Sequence, residues 1–519
     1  MRILLIYPNM RGMNMLPPAI ALFYALLKRE GHTVALFDST DYPDPEQVFN
    51  SDKQKEMNLN VRPFDDALLR QSWVDDDVFQ AFVRKVNDCK PDLLAMSCTE
   101  DMFPIGLSLL RQVEDYRIPT ILGGVFPTFA PQKAIAPKAV TMVCVGEGEQ
   151  VLVELCRRMA AGQPYDDIPG LWVKLPDGTI KPNRMGPPVN INSNPVLDLS
   201  IFASGRLYRP MQGRVWRMFP LETHRGCPYQ CAYCNSPSQM RLYMDTTGDK
   251  HFRKKDPAKI REEIIHFRDH CQVEAFYFWA DTFFAYSSRE FDAFIEMYSE
   301  FKIPFWCQTR PETVTRRRVE QLREIGLFRM AFGVEHGNPK FRRDYIRRDV
   351  SNEVMVNNLR VVNEVGVPFS VNNIMGFPYE TRELAFDTIE LNRHIHADST
   401  NAYSFSPFHG TPLRDLAVKA GFIDDSLIAR SVMRPTLLNM PQFTVSQIEG
   451  LRRCFVMYAK LPKERWPEIE QAEHFTPHGD QVWQRLRDEM LASQMAFHKD
   501  GDGGPAFEKM AMGAVAAQA

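Results

Sequence analysis

At 519 residues the chain is too long for one ordinary core, so two or three domains are expected. Hydrophobic residues make up 44% and charged residues 24%, the balance of a soluble globular protein. A net charge of −3 with 62 Lys+Arg provides no global field to gather nucleic acid or anionic membrane, which removes both from the expected partners.

The opening run MRILLIYPNM breaks at Pro8, too early for a signal segment or a bilayer span. No later run approaches spanning length. The ten cysteines include seven scattered ones, which is not a disulfide framework. A reduced, cytoplasmic protein without a transmembrane segment is expected.

Residues 1–162 alternate strands and helices. RILLIY (2–7), TVALFD (33–38), DLLAMS (92–97), PTILGG (119–124) and VTMVCVGEGE (140–149) read as strands. PPAIALFYALLKREGH, PIGLSLLRQVEDY and EQVLVELCRRMAAG read as helices, the first with proline at its start and Gly31 at its end. Continuous apolar strands separated by helices predict a doubly wound parallel sheet. Residues 39–75 read as a polar excursion outside the core. Residues 163–214 read as a hairpin around Pro176-Asp177-Gly178 followed by a linker.

From 215 to 430 the alternation resumes, with strands in FPLET, EAFYFWAD, PFWCQTR, RMAFGVEHG, FSVNNIMGF and TNAYSFSPF. Asp256-Pro257 opens one helix, and Ser287 with Glu290 has capping-box spacing at another. Six such units are too few for a closed eight-stranded barrel and predict a partial, open (β/α)6 barrel. Residues 431–498 read as helical, and 499–519 as a disordered tail.

The chemistry concentrates in ETHRGCPYQCAYCNSPSQ, which holds Cys227, Cys231 and Cys234 in a C-x3-C-x2-C spacing after a predicted strand. Three thiolates on one compact loop can hold an iron–sulfur cluster with one iron left open. Structural zinc with His224 as fourth ligand is the competing reading. It lacks the second cysteine pair of a zinc ribbon, since Cys271, Cys307 and Cys454 stand alone.

This motif, with Tyr233 just before the last cysteine, resembles the signature of the radical S-adenosylmethionine (SAM) superfamily. The resemblance extends over residues 215–430. It implies a 4Fe–4S cluster whose open iron chelates SAM and whose electron splits SAM to a 5′-deoxyadenosyl radical. It also implies roles by position. Asp281 in FWADTFF would meet the SAM amino group. Glu335 in FGVEHGN would meet the ribose, with His336 replacing the family's usual small residue. Gly376 and Phe377 in IMGFPYET would pack on adenine, and Arg348 would meet the SAM carboxylate.

The N-terminal domain resembles the cobalamin (B12)-binding domain of the B12-dependent radical SAM class. The carriers are YPN after the first strand, Ser97-Cys98-Thr99, the GGVFPT segment with Gly123 and Gly124, and GEGE with Glu147 and Gly148. These residues would approach the corrin or its nucleotide tail. The D-x-H-x-x-G motif of many such domains is missing. The loop PNMRGMNMLPP has no histidine, so Met10, Met13 or Met15 would pack under the corrin, and base-off cobalamin without a protein nitrogen ligand is expected.

Together these readings imply a cobalamin-dependent methyltransferase acting on an unactivated carbon or phosphorus centre of a small molecule. Its flavour is that of the branch with the anaerobic Mg-protoporphyrin ester cyclase and the hopanoid and bacteriochlorophyll methylases. A flavodoxin- or ferredoxin-type protein would donate electrons. The alternatives are an oxidative cyclase, a radical SAM enzyme with a vestigial cobalamin domain, and a non-catalytic iron–sulfur or corrinoid carrier. The segment 236–255 is expected to be a loop over the substrate, its basic residues available to an acid group. The arginines at 316–318 and 342–348 read as solvated helix faces.

Overall fold

The computed structural model describes residues 1–43, 50–493, 495 and 497. The first sheet contains β1 (Arg2–Tyr7), β2 (Thr33–Asp38), β3 (Leu93–Ser97), β4 (Thr120–Gly123), β5 (Met142–Cys144), β6 (Leu171–Lys174) and β7 (Ile180–Lys181), in the order β2-β1-β3-β4-β5-β6-β7. The first five strands run parallel, and the β6–β7 hairpin adds to the edge antiparallel. Leu4, Ile6, Leu94 and Leu122 are buried because helices cover both faces of the sheet. The order reverses at β1, and beside that strand the carboxyl ends of β1 and β3 form the crevice where such sheets bind ligands.

Three expectations change here. The strand expected over 140–149 stops at Cys144: Gly146 turns with φ +94° and Gly148 begins the helix Gly148–Ala160. A helix at Val78–Cys89, capped by the Asp77 side chain, escaped the sequence reading although Val78, Phe82 and Val86 mark its buried stripe. The described residues of segment 39–75 are not a solvent excursion. Leu59, Asn60 and Leu69 are buried, and Asn60 Nδ2 donates to the Thr400 carbonyl at 3.2 Å.

The second sheet holds β8 (Tyr208–Met211), β9 (Arg214–Glu222), β12 (Ala275–Trp279), β13 (Phe305–Thr309), β14 (Leu327–Glu335), β15 (Phe369–Met375) and β16 (Ser399–Ser404). Between β9 and β12 lies a two-residue ribbon, β10 (His224–Arg225) with β11 (Arg253–Lys254). The order β16-β15-β14-β13-β12-β9-β8 has six parallel strands with β8 antiparallel at the edge, the partial barrel the sequence predicts. Strand alternation puts Phe276, Phe278 and Phe305 under the helices, where Phe278 and Phe305 stack at 4.3 Å. It puts Trp216, Met218, Ala275, Tyr277 and Trp306 in a separate inner cluster. Ser287 and Glu290 form the expected capping box, whereas Asp256 occupies its N-cap position without a side-chain cap bond. The helix Val445–Lys460 packs against β16, and Ile448 on it closes over Gly376.

Among the described residues no helix is long and apolar enough to cross a membrane. Arg316, Arg317 and Arg343 on the basic helix faces are ion-paired with Glu364, Asp292 and Asp344, whereas Arg342 and Arg348, expected on a solvated face, are buried.

Candidate functional site

The cysteine loop starts where β9 ends. Gly226 has φ +84°, and a Cβ there would lie 2.7 Å from His251 Nδ1, so the turn into Cys227 needs glycine. The loop is pinned by its backbone: Ala232 N–H donates to the Ile346 carbonyl and the Ala232 carbonyl accepts from Leu413 N–H. Cys234 caps the helix Asn235–Thr247, its Sγ accepting from Ser236 N–H at 3.5 Å. Each of the other sulfurs also has a polar neighbour, Thr282 Oγ1 at 3.6 Å from Cys227 and Arg310 Nη1 at 3.9 Å from Cys231. Burial raises the pKa of all three thiols, that of Cys234 to about 12, and their mutual repulsion adds to it for Cys227 and Cys234. Metal binding must therefore displace protons.

No three Cys, His, Asp or Glu side chains among the described residues converge on one metal ion. In a cubane each thiolate binds a different iron. His224 does not join the cysteines. It is buried against Tyr286 at 4.2 Å, its Nδ1 lies 2.8 Å from Thr223 Oγ1, and burial lowers its pKa to about 3.

Residues from both sheets line one cavity of about 1190 Å³. On one wall stand Tyr233, Cys234, Ser236 and Asp281. Asp281 accepts from Ser236 Oγ at 2.5 Å, and its pKa is raised because the carboxylate faces the cavity rather than bulk water. Glu335 lies behind this wall. Its φ of +68° follows the register shift between Gly333 and Glu335. Burial raises its pKa against the pull of Arg348, 3.7 Å away, and the Tyr233 hydroxyl hydrogen-bonds to it.

One expectation needs correction. Arg348 is not free for a ligand carboxylate: it is buried, bonds Glu312 at 2.7 and 3.1 Å, and donates to the Gly333 carbonyl. The amides of Gly376 and Phe377, in the turn expected to pack on adenine, are held by Glu380 Oε2 at 2.5 and 2.9 Å. Glu380 Oε1 lies 3.3 Å from His336 Nε2.

The opposite wall carries Ser97, Thr99, Gly123, Gly124, Glu147 and Gly148. A Cβ on Gly123 would meet nothing nearer than Cys144 Cβ at 3.9 Å, so backbone lies open to the cavity there. Gly124 has φ +119°, and a Cβ would lie 2.3 Å from the Cys98 carbonyl oxygen. This open glycine edge at the crevice fits a large flat group. Met13 and Met15 also line the cavity, whereas Met10 is packed in the sheet core.

Glu147 has a different task from the expected one. Its carboxylate accepts from Val189 N–H at 2.7 Å and from Arg225 and Arg253 at 3.0 Å. Burial opposes its ionisation, but the two guanidinium groups bring its pKa down to about 2. It thus clamps the first sheet to the β10–β11 ribbon that leads into the cysteine loop. The segment 236–255 is likewise not a loop. Residues Asn235–Thr247 are helical, ended by Gly248 at φ +80°, and Arg253, Lys254 and Lys255 are ion-paired with Glu147, Glu290 and Glu263.

Sequence reasoning missed a second clamp. Glu100, just after β3, accepts from His409 N–H, Ala429 N–H and His409 Nδ1, the last at 2.6 Å. His409 Nε2 is buried without a partner among the described residues, and the ring belongs to the cavity wall. No local signal links residues 309 positions apart. His32, the other histidine of this region, contacts the N-terminal amine instead.

Comparison with known proteins agrees with this geometry. The radical SAM superfamily model matches residues 221–391, and the B12-binding domain model matches residues 64–156. The chain is a radical SAM enzyme with a B12-binding domain, a class that uses a 4Fe–4S cluster and SAM. It is 21% identical over 436 residues to the uncharacterized methyltransferase PH0819 of Pyrococcus horikoshii, covering 82% of this chain and 90% of the relative. It shares its fold with the cobalamin-dependent SAM radical enzyme OxsB bound to aqua-cobalamin and SAM (TM-score 0.64, 14% identity, 99% of this chain, 79% of that one). It also shares it with the methyltransferase TsrM of Kitasatospora setae bound to cobalamin and a 4Fe–4S cluster (TM-score 0.62, 13% identity, 94% of this chain, 99% of that one).

Proposed function

We propose that this chain is a cobalamin-dependent radical SAM methyltransferase acting on an unactivated carbon or phosphorus centre of a small molecule. The observation that carries the reading is the single cavity whose walls are the cysteine-bearing side of the barrel and the open glycine edge of the first sheet. The name of the relative from Pyrococcus, matched over 90% of its length, favours methyl transfer over ring formation. When bound, the cluster supplies the electron that splits SAM and the corrinoid carries the methyl group.

The chain's own groups bind, orient and exclude water. Cys227, Cys231 and Cys234 hold the cluster, with Thr282, Arg310 and the Ser236 amide placed to donate to their sulfurs and so to set its potential. Asp281 receives the SAM amino group. Glu335 serves the ribose, and Arg348 positions Glu335 rather than touching SAM. Ser97, Thr99, Gly123 and Gly124 receive the corrinoid, with Met13 and Met15 toward its face. A flavodoxin- or ferredoxin-type donor brings the electron.

Glu335→Gln and Asp281→Asn are expected to keep the iron and weaken SAM binding by about 1.5–3 kcal/mol each, roughly ten- to a hundredfold in Kd. Equilibrium binding to reconstituted protein measures this, and unchanged affinity in both variants would move SAM elsewhere.

The assignment itself is tested by loading the protein with cob(II)alamin and recording its paramagnetic resonance spectrum. The loop after β1 has no imidazole, so the signal should lack nitrogen superhyperfine splitting. A nitrogen triplet that disappears in His409→Phe would instead make His409 the axial ligand. Failure to bind cobalamin at all would remove the methyltransferase assignment and leave the radical SAM domain.

A further inference from the structure

Arg253, Lys254 and Lys255 of segment 236–255, expected at the substrate, are engaged with protein carboxylates, but another part of the same cavity holds a guanidinium that is not. Arg209 lies on β8 with its guanidinium 5.0 Å from the Tyr277 ring and 4.9 Å from the Trp306 ring. Among the described residues that guanidinium has neither an ion pair nor a hydrogen bond, and its Nη1 is buried. Burial lowers its pKa, with only Tyr277 and Asp52 acting to raise it. Lys55 stands nearby, 3.8 Å from Asp52, and Arg329 is paired with Asp398. This end of the cavity thus sets four cations (Lys55, Arg62, Arg209, Arg329) against two carboxylates (Asp52, Asp398). Buried charge without a counter-ion is strongly unfavourable.

The hydrogen-bond inventory points the same way. Three buried donors on this wall, Arg209 Nη1, Trp306 Nε1 and Gln212 Nε2, have no acceptor among the described residues. An acceptor-rich anion satisfies them and the charge together. It is not the SAM carboxylate. Trp306 pairs in register with Arg329, six residues before Glu335 on β14, which is about 20 Å along the strand.

We propose that Arg209, with Lys55, Trp306 and Gln212, binds the acid group of the substrate, so that the substrate is an organic anion anchored at the amino ends of β13 and β14. The inference rests on the reading of this cavity as the substrate chamber of a radical enzyme. A stacked guanidinium presents its fork edge-on, which suits either a carboxylate or a phosphate.

The test uses corrinoid-loaded holoprotein, so that the cofactor's own phosphate is already in place. Thermal unfolding is followed against inorganic phosphate in one arm and benzoate in the other, with chloride at matched ionic strength as the blank. A saturable rise in Tm beyond chloride is expected. Its apparent Kd should weaken at least tenfold in Arg209→Gln and less in Arg209→Lys. Asp52→Asn removes a competing carboxylate and should tighten it severalfold, a gain that misfolding does not mimic. Arg316→Gln, on an exposed helix, should match wild type. Stronger phosphate than benzoate binding assigns a phosphorylated substrate, and the reverse a carboxylic acid. No saturable effect of either anion, or an affinity indifferent to Arg209→Gln and Asp52→Asn, overturns the proposal. Production of 5′-deoxyadenosine by the same wild-type preparation is read separately. Its absence would sink the radical SAM mechanism while leaving the anion site standing.

Discussion

Alanine at Cys227, Cys231 or Cys234 is expected to leave a folded protein that has lost its cluster and all cleavage of SAM. Reconstituted wild type should hold about four irons per chain with broad charge-transfer absorption, and each variant less than about one. The loop does not need the thiols to fold, because its backbone is tied at Ala232 to Ile346 and Leu413. Cys271→Ala and Cys307→Ala should keep both the iron and the cleavage. Cys307 is buried in the barrel core with its pKa raised by burial, and Cys271 ends a surface helix. Iron analysis and absorbance decide. Stoichiometric zinc in protein purified without oxygen, or iron retained by a loop variant, would contradict the assignment.

The largest stability effect is expected at Glu147. Glu147→Ala strands Arg225 and Arg253 in a junction where both are largely shielded from water, and breaking such a pair costs about 3–5 kcal/mol. Arg225 keeps Glu149 and Glu222, which places the loss toward the lower end. The carboxylate's pKa is depressed on folding, from a model-compound 4.5 to about 2. Its contribution is therefore complete above pH 4.5 and is lost as pH falls through that interval. Denaturant unfolding at pH 7 should show the full difference between wild type and variant, and the difference should shrink toward pH 2. A difference that stayed constant across that range would assign the effect to packing rather than charge.

What could be read from the sequence was local. β1, β3 and β4 are buried on both faces and stand out as apolar runs, and the cysteine motif lies within eight residues. The groups that join the domains are not local. Glu100 meets His409, Arg62 meets Asp398, and Arg225 meets Glu147 across 309, 336 and 78 positions, and no periodicity marks such pairs. The same distance explains why Arg348 and Glu147 were read as ligand contacts. A charged residue at a strand's carboxyl end looks the same in sequence whether it faces a cofactor or a partner chain segment. The excursion 39–75 was misread for a related reason. Its polar residues line the cavity, so the segment lacks the apolar stripe that betrays a core element.

The central claim is that the cavity wall around Cys234 and Asp281 cleaves SAM reductively. The most direct measurement is the 5′-deoxyadenosine formed when anaerobically reconstituted wild type is incubated with SAM and a low-potential reductant. The account predicts 5′-deoxyadenosine and methionine in equal amounts from wild type and none from Cys231→Ala. A fully iron-loaded wild type that binds SAM and yields no 5′-deoxyadenosine would contradict it.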